Sequence, residues 1–262
     1  MNKVLRNEIY KIALCSLFTV LTFAAGRLSF YIPVAGFPAF KFSLTAIPIV
    51  IGSFLLGPIY GGIIGGLGDL IGALLFPVGA YFFGFTFDAI LLGVIPGLVM
   101  YLSKKSKYFS PIILSVLFIL TFSLLAYFFV SYNTITISKK EIYLSIPLKV
   151  IVICIYLTLF GIGFFAIWYN YRKNKNIVFL NAFVSLFANE LIVSGLIASL
   201  WKTMLYSLPY FLNVGIALLY MLINIPLKTI AVSFIYPTVV EITSINRKSL
   251  ALSKISDKGL KN

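Results

Sequence analysis

Several charged residues interrupt otherwise apolar stretches of this sequence, and six of them are its main candidates for chemistry. They are Arg27, Asp69, Asp88, Glu190, Lys202 and Lys228. The chain has no histidine and only two cysteines, which excludes a histidine base, a histidine-rich metal site and a cysteine cluster. The acids form no short cluster for a metal ion, and no GxxxxGKS or GxxxxGKT motif is present to bind ATP. We therefore predict no catalytic residue, no metal and no cofactor, and we expect these charges to bind a ligand or to pair with one another.

The elements that carry these charges are predicted to be transmembrane helices. Apolar residues make up 61% of the 262 residues and charged residues 11%, which excludes an ordinary soluble domain and a disordered chain. The runs are too long and too uniformly apolar for barrel strands, so the predicted fold class is all-α, a polytopic transmembrane helical bundle. The predicted helices are 9–31, 43–57, 59–76, 85–102, 111–132, 144–169, 178–206 and 211–238.

The basic residues indicate how this bundle is oriented. If the N-terminus is cytoplasmic, the cytoplasmic segments hold 14 basic residues and the opposite loops hold three, a strong positive-inside bias. The cytoplasmic set is Lys3, Arg6, Lys11, Lys104, Lys105, Lys107, Arg172, Lys173, Lys175, Arg247, Lys248, Lys254, Lys258 and Lys261. The net charge of +14 is thus read as membrane topology, with lipid headgroups as the partner and no nucleic acid. Both termini are predicted to be cytoplasmic.

The third predicted helix carries a stripe of glycines and one acid. Its glycines recur at small-xxx-small spacing, which predicts close packing against a neighbouring helix. Asp69 would cost roughly 2.5–3.5 kcal/mol at the bilayer centre, so it is expected to face the bundle interior. Its role is either a hydrogen bond between helices or a polar contact in a ligand pocket.

A segment rich in aromatic residues follows. Pro77, Gly79 and Gly84 predict a loop over 76–86, with Tyr81, Phe82 and Phe85 among its rings. These rings are either an interfacial aromatic belt or the wall of a pocket for a flat aromatic ligand.

These segments resemble the membrane substrate-binding (S) subunits of energy-coupling factor (ECF) transporters, most closely their folate family. The resemblance rests on Pro48 with Gly57-Pro58, the stretch 69–75, the pattern 77–86, and Gly93 with Gly97. It is dense over about 43–98 and weaker in the first and the last two segments. Trp201 stands where the family carries a tryptophan in its fifth helix.

The resemblance implies a core of six helices that captures a vitamin at the outer face. It also implies docking on a transmembrane coupling subunit with two ATPases, through a small-residue face of the first helix; Ala13, Ser16 and Leu17 occupy that face here. Since about eight helices are predicted, two are extra. Residues 1–106 are expected to hold family helices 1–4, 107–176 an inserted two-helix hairpin, 177–240 family helices 5–6, and 241–262 a basic cytoplasmic tail.

The remaining charges each have two interpretations. Arg27 and Lys202 are predicted near the outer helix ends, where they bind an anionic ligand or snorkel to headgroups. Lys41, between two phenylalanines of an outer loop, is a further ligand candidate or a solvated charge. Glu190 and Lys228 are expected to pair across helices, and Asp88 to cap the fourth helix.

Three functions are compatible with this pattern. The leading hypothesis is a non-enzymatic subunit that binds folate or a related compound through Asp69, the aromatic segment, Trp201-Lys202 and Arg27, with Lys41 nearby. The alternative is a stand-alone secondary transporter or channel driven by protons through Asp69 or Glu190. A membrane enzyme is disfavoured because it would need a base or a metal site that the sequence lacks.

Overall fold

In the residues that the structure describes, nine α-helices, one π-helical segment and two β-hairpins follow one another along the chain. The computed structural model describes residues 3–28, 30–34, 37–77, 81–106, 108–131, 134–137, 140–143, 145–173, 177–207 and 209–259. The helices are α1 (Lys3–Arg27), α2 (Ala46–Leu56), α3 (Pro58–Leu75), α4 (Phe83–Lys105), α5 (Phe109–Ser131), α6 (Ile146–Lys173), α7 (Ile177–Ala188), α8 (Ala198–Tyr206) and α9 (Tyr210–Gly259). A π-helical segment (Asn189–Ile197) joins α7 to α8.

The predicted transmembrane bundle is confirmed. Among the described residues, six helical segments are long and apolar enough to cross a membrane: Glu8–Arg27, Pro58–Leu75, Phe83–Lys105, Phe109–Ser131, Val178–Tyr206 and Tyr210–Ser244. The 11-residue α2 is roughly 16 Å long, too short for a hydrocarbon core of about 30 Å. The last helix is longer than predicted, because its helical backbone continues through most of the segment 241–262.

The short α2 and the longer α3 form an antiparallel helical hairpin. Gly57 turns the chain with φ +93°, a conformation that favours glycine, and Pro58 begins α3. Gly52 of α2 faces Ile64 of α3, and continuing this pairing places Ala46 roughly level with Asp69. The final turns of α3 therefore extend beyond the start of α2.

Glycines bring α3 into close contact with α4 and α1, as the glycine stripe predicted. A methyl group on Gly65 would lie 2.0 Å from the Ala89 carbonyl oxygen, and one on Gly68 would lie 2.7 Å from the Thr22 side chain. The Ser53 hydroxyl of α2 donates a hydrogen bond to the Gly93 carbonyl of α4. Helices α1 to α4 are thus closely packed, which small residues permit in membranes.

Two antiparallel β-hairpins, absent from the all-helical prediction, lie beside one another at one end of the bundle. The first pairs β1 (Phe30–Val34) with β2 (Phe37–Phe42), and the second pairs β3 (Thr134–Ile137) with β4 (Lys140–Tyr143). We call this end, where α1 and α8 finish and α4 and α9 begin, the hairpin end. Extended backbone is tolerated at the end of a bundle because water can satisfy its free hydrogen-bonding groups.

The pair α5 and α6, predicted to be an insertion, is attached to the other helices by buried hydrogen bonds. Asn181 of α7 is fully buried; it accepts from Ser110 of α5 at 2.9 Å and donates to Ser103 of α4 at 2.7 Å. On α6, Tyr156 donates to the Leu218 carbonyl of α9. These polar contacts hold α5 and α6 against the other helices.

Candidate ligand-binding cavity

A cavity of about 400 Å³ opens between α1, α2, α3, α4, the π-helical segment, α8 and α9. This volume is typical of small-molecule sites, which span roughly 300–1,000 Å³. Glu190 and Tyr206 both line it, and helix geometry separates them by roughly 20 Å along the axis, so the cavity is elongated. It runs from Arg27 and Phe76 near the hairpin end to Lys228, and we call the region around Lys228 its inner end.

Asp69 lies on the cavity wall at the centre of a hydrogen-bonded group. Its Oδ2 accepts a hydrogen bond of 2.8 Å from the Thr86 hydroxyl of α4, and that hydroxyl lies 2.9 Å from the Tyr81 hydroxyl. Asp69 therefore links two helices and also lines the cavity, and its contact with a ligand stays a prediction. The hydrogen bond from Thr86 to Oδ2 orients the whole carboxylate, including Oδ1, which Thr86 does not contact.

The aromatic segment divides between the cavity and the outer surface. Phe76, Tyr81, Phe82 and Phe85 line the cavity, whereas the neighbouring Phe83 is 64% exposed. The predicted loop over 76–86 is wrong in its second part, since α4 begins at Phe83. Gly84, expected to break the helix, lies inside it and allows close packing, because a methyl group there would lie 2.3 Å from the Phe82 ring.

Arg27, the last residue of α1, lines the cavity between two aromatic rings. Its guanidinium carbon lies 5.0 Å from the Phe76 ring centroid and 5.4 Å from that of Phe23, within the range of cation–π attraction. Among the described residues it forms no salt bridge. Its charge is thus held by rings at the cavity wall, where an anion can reach it.

Lys202 lines the cavity, whereas its neighbour Trp201 lies behind the wall. The Trp201 ring packs against Phe82, with centroids 5.6 Å apart, and its Nε1 donates a hydrogen bond of 3.2 Å to Asp88. Lys202 interacts electrostatically with both Asp88 and Glu190. The predicted capping role of Asp88 is wrong, since the residue lies in the second turn of α4 and is 7% exposed.

The predicted pairing of Glu190 with Lys228 is confirmed. Lys228 Nζ donates to Glu190 Oε1 at 2.7 Å, and each side chain is only 8% exposed. Glu190 lies in the first turn of the π-helical segment and Lys228 lies on α9. Both residues also line the inner end of the cavity, which the sequence did not indicate.

The remaining predicted residues belong to β2 and α1. Lys41 belongs to β2, and its side chain falls outside the part of the chain that the structure describes. Ala13, Ser16 and Leu17 are exposed on the outer face of α1, where a partner or lipid can contact them.

Several polar residues at the cavity had no recognisable signal in the sequence. Tyr206, Tyr220 and Asn224 line it from α8 and α9, and Ser43 lines it beside the start of α2. Tyrosine, serine and asparagine occur throughout the chain, so their type alone does not distinguish a cavity residue.

The family of this chain is established by a match over most of its length. Residues 6–173 match the family described as "ECF-type riboflavin transporter, S component". The chain belongs to this family. The predicted resemblance is therefore confirmed, and this S component is a multi-pass membrane protein with six described helices of membrane-spanning length. The match includes most of 107–176, and the assignment of that segment as an insertion stays a prediction.

One curated protein and one solved structure that are similar to this S component carry folate in their names. The "Folate transporter FolT" of Clostridium novyi (strain NT) is 38% identical over 69 residues, which are 26% of this chain and 40% of that protein. The chain therefore matches well under half the length of that curated relative. The "Crystal structure of FolT bound with folic acid" is similar with a TM-score of 0.51 and 17% identity, covering 87% of this chain and 92% of that chain. At this identity the similarity establishes the fold alone, and this S component shares it.

Proposed function

We propose that this S component captures a folate-type vitamin, a fused polar ring with a negatively charged tail, for uptake by partner subunits. One observation carries the proposal: an elongated cavity of about 400 Å³ is lined by Asp69, by an aromatic wall and, near the hairpin end, by Arg27. The ring stacks on Phe82 and Phe85, and its N–H or amino groups donate to Asp69. The relatives named after folate support this choice.

The negative tail binds Arg27. Lys202 was an equal candidate from the sequence, but it interacts with Asp88 and Glu190, whereas Arg27 forms no salt bridge among the described residues. A guanidinium binds a carboxylate through two parallel hydrogen bonds, which gives both affinity and orientation.

Riboflavin, the vitamin in the family description, is the competing ligand. Its ring carries similar hydrogen-bonding groups, but its tail is uncharged and offers nothing for Arg27 to pair with. The test is to purify the protein without added ligand and identify the retained compound by mass spectrometry, followed by titration with folic acid and riboflavin. Retention of riboflavin, with no folate binding, would replace the proposed vitamin.

In this proposal uptake is driven by ATP and requires partners, because the given sequence has no ATP-binding loop motif of its own. The proposed partners are a transmembrane coupling subunit and two ATPases, docked on the face of α1 that exposes Ala13, Ser16 and Leu17. The chain itself acts as a binding subunit and not as an enzyme. Vitamin uptake by vesicles that contain this chain alone would instead support the secondary transporter.

The hairpin end faces outward in this proposal, and both termini are cytoplasmic. Arg27 and the cavity then open to the side from which a nutrient arrives, and the 14 basic residues listed above lie inside. Reporter fusions at each terminus test this orientation, which a periplasmic or extracellular terminus would contradict.

A further inference from the structure

The inner end of the cavity is closed by the buried ion pair of Glu190 and Lys228. The two charged atoms lie 2.7 Å apart, both side chains are 92% buried, and both line the cavity. They join the π-helical segment to α9 at the inner end of the cavity. This pair belongs to none of the contacts assigned above to the vitamin.

Helix packing does not require this pair. Apolar side chains of similar volume often stabilise a buried position as well as an ion pair does, because removing two charges from water is costly. Asn224, which also lines the cavity, has a buried amide oxygen with no hydrogen-bond partner among the described residues. Buried polar atoms are normally paired, so the inner end has more hydrogen-bonding capacity than its own helices use.

The backbone conformation around Glu190 also indicates a functional site. Glu190 lies in the π-helical segment Asn189–Ile197, and π-helical turns occur frequently at functional sites. Three more residues of this segment and its end, Val193, Ser194 and Ala198, line the cavity. The departure from α-helical geometry is therefore centred on the cavity wall.

We propose that Glu190 and Lys228 together bind the cyclic amide edge of the ligand ring. Such an edge carries an N–H next to a C=O, and the pair presents an acceptor next to a donor. The ring N–H donates to the Glu190 carboxylate while the ring carbonyl accepts from the Lys228 ammonium. This inference rests on the proposed function and adds an orientation: the ring points to the inner end, and the tail points to Arg27.

The dimensions of the cavity agree with this orientation. Arg27 and the ion pair lie at opposite ends of a cavity that extends roughly 20 Å along the helix axes. Asp69 and the aromatic wall lie between them and contact the flank and the faces of the ring. A ring with an anionic tail can thus engage all three regions at once.

The test compares folic acid with aminopterin, in which an amino group replaces the ring carbonyl oxygen and the adjacent ring nitrogen carries no hydrogen. In the wild-type protein Lys228 would face a donor in aminopterin, so folic acid should bind at least about tenfold more tightly. In Lys228→Met the contact of Lys228 with the amino group is removed, but Glu190 still faces the ring nitrogen, so the ratio of the two dissociation constants, measured by calorimetric titration, should fall severalfold and reach about unity only when Glu190 is replaced as well. Lys149→Met is the matched control: Lys149 donates to the Phe129 carbonyl at 2.6 Å, does not line the cavity, and its loss should leave the ratio unchanged.

A second variant guards against misfolding of the first. Lys228→Met leaves Glu190 unpaired, so the double variant Glu190→Gln/Lys228→Met is titrated as well, and thermal unfolding is recorded for both. Loss of the ligand preference in the double variant supports the inference. Equal binding of the two compounds by the wild type, or an unchanged ratio in the double variant, overturns it while folate binding stands. A wild-type protein that binds neither compound removes the proposed function and this inference together.

Discussion

Asp69→Asn changes one carboxylate oxygen to an NH₂ group and leaves the size of the side chain the same. In the structure, Thr86 donates to Oδ2 at 2.8 Å, so the asparagine oxygen will take that position. The new NH₂ group then occupies the place of Oδ1 and meets the ring N–H or amino group of the ligand. A donor facing a donor loses the hydrogen bond, and the negative charge is lost as well.

The expected magnitude follows from the strength of such contacts. A hydrogen bond to a charged group contributes about 1.5–3 kcal/mol, which corresponds to a roughly 10- to 150-fold weaker dissociation constant for folic acid. Thr86→Val removes only the group that orients the carboxylate, so its loss should be smaller, about 2- to 10-fold. Calorimetric titration of purified protein in lipid nanodiscs measures both.

Glu8→Gln is the matched control for the loss of a negative charge. Glu8 lies near the opposite end of α1, bonded to Lys11 at 2.8 Å and to Tyr60 at 2.9 Å, and does not line the cavity. Its replacement should leave folic acid binding unchanged. If Asp69→Asn is folded and binds folic acid within about twofold of the wild type, Asp69 does not contact the ligand and only links α3 to α4.

Three further outcomes are expected. Gly65→Leu should prevent stable folding, because even its Cβ would lie 2.0 Å from a carbonyl oxygen of α4. The control Gly161→Ala, whose Cβ would have nothing within 4 Å, should unfold at the same temperature as the wild type or slightly higher. Equal melting temperatures for the two variants would contradict the close packing. Folic acid should change the tryptophan fluorescence through Trp201, which packs against Phe82 of the cavity wall. Trp201→Phe should lose this change and Trp168→Phe should retain it. A change that is lost in Trp168→Phe and kept in Trp201→Phe would place the ligand elsewhere. Ser16→Trp on the exposed face of α1 should reduce co-purification with the coupling subunit and leave vitamin affinity unaltered, whereas unchanged co-purification would exclude this face from docking.

Much of the fold could be predicted because the relevant properties are local. Each apolar segment predicts its own helix, since every backbone group of a membrane span must be bonded within that span. The spacing of the pairs Gly61/Gly65, Gly62/Gly66 and Gly68/Gly72 predicts close packing, since a glycine removes a side chain whatever its neighbour is. The two β-hairpins escaped prediction, although the alternation Thr134-Ile135-Thr136-Ile137 is typical of a strand, because their segments join helices in an otherwise helical chain.

Asp69, Arg27 and Lys202 could be proposed as site residues because a charge in an apolar run stands out. Their common location could not be derived from periodicity, since a transmembrane helix is apolar all round and its inner face is not marked. For the same reason Trp201 was predicted to bind the ligand, whereas its ring packs against Phe82 behind the cavity wall. The π-helical segment adds a further difficulty, because it rotates α8 relative to α7 and changes which side of the helix Lys202 occupies.

The sequence by itself determined the membrane-spanning segments, the absence of an ATP-binding loop motif and the small number of charges available to a ligand. Those are properties of residue type and of neighbours in the chain. Only the tertiary structure decided that Glu190 and Lys228 share a cavity with Asp69 and Arg27, which lie far away in the sequence. The reason is geometric: a cavity forms where several helices fail to fill the space between them, and that depends on how their faces are turned toward one another.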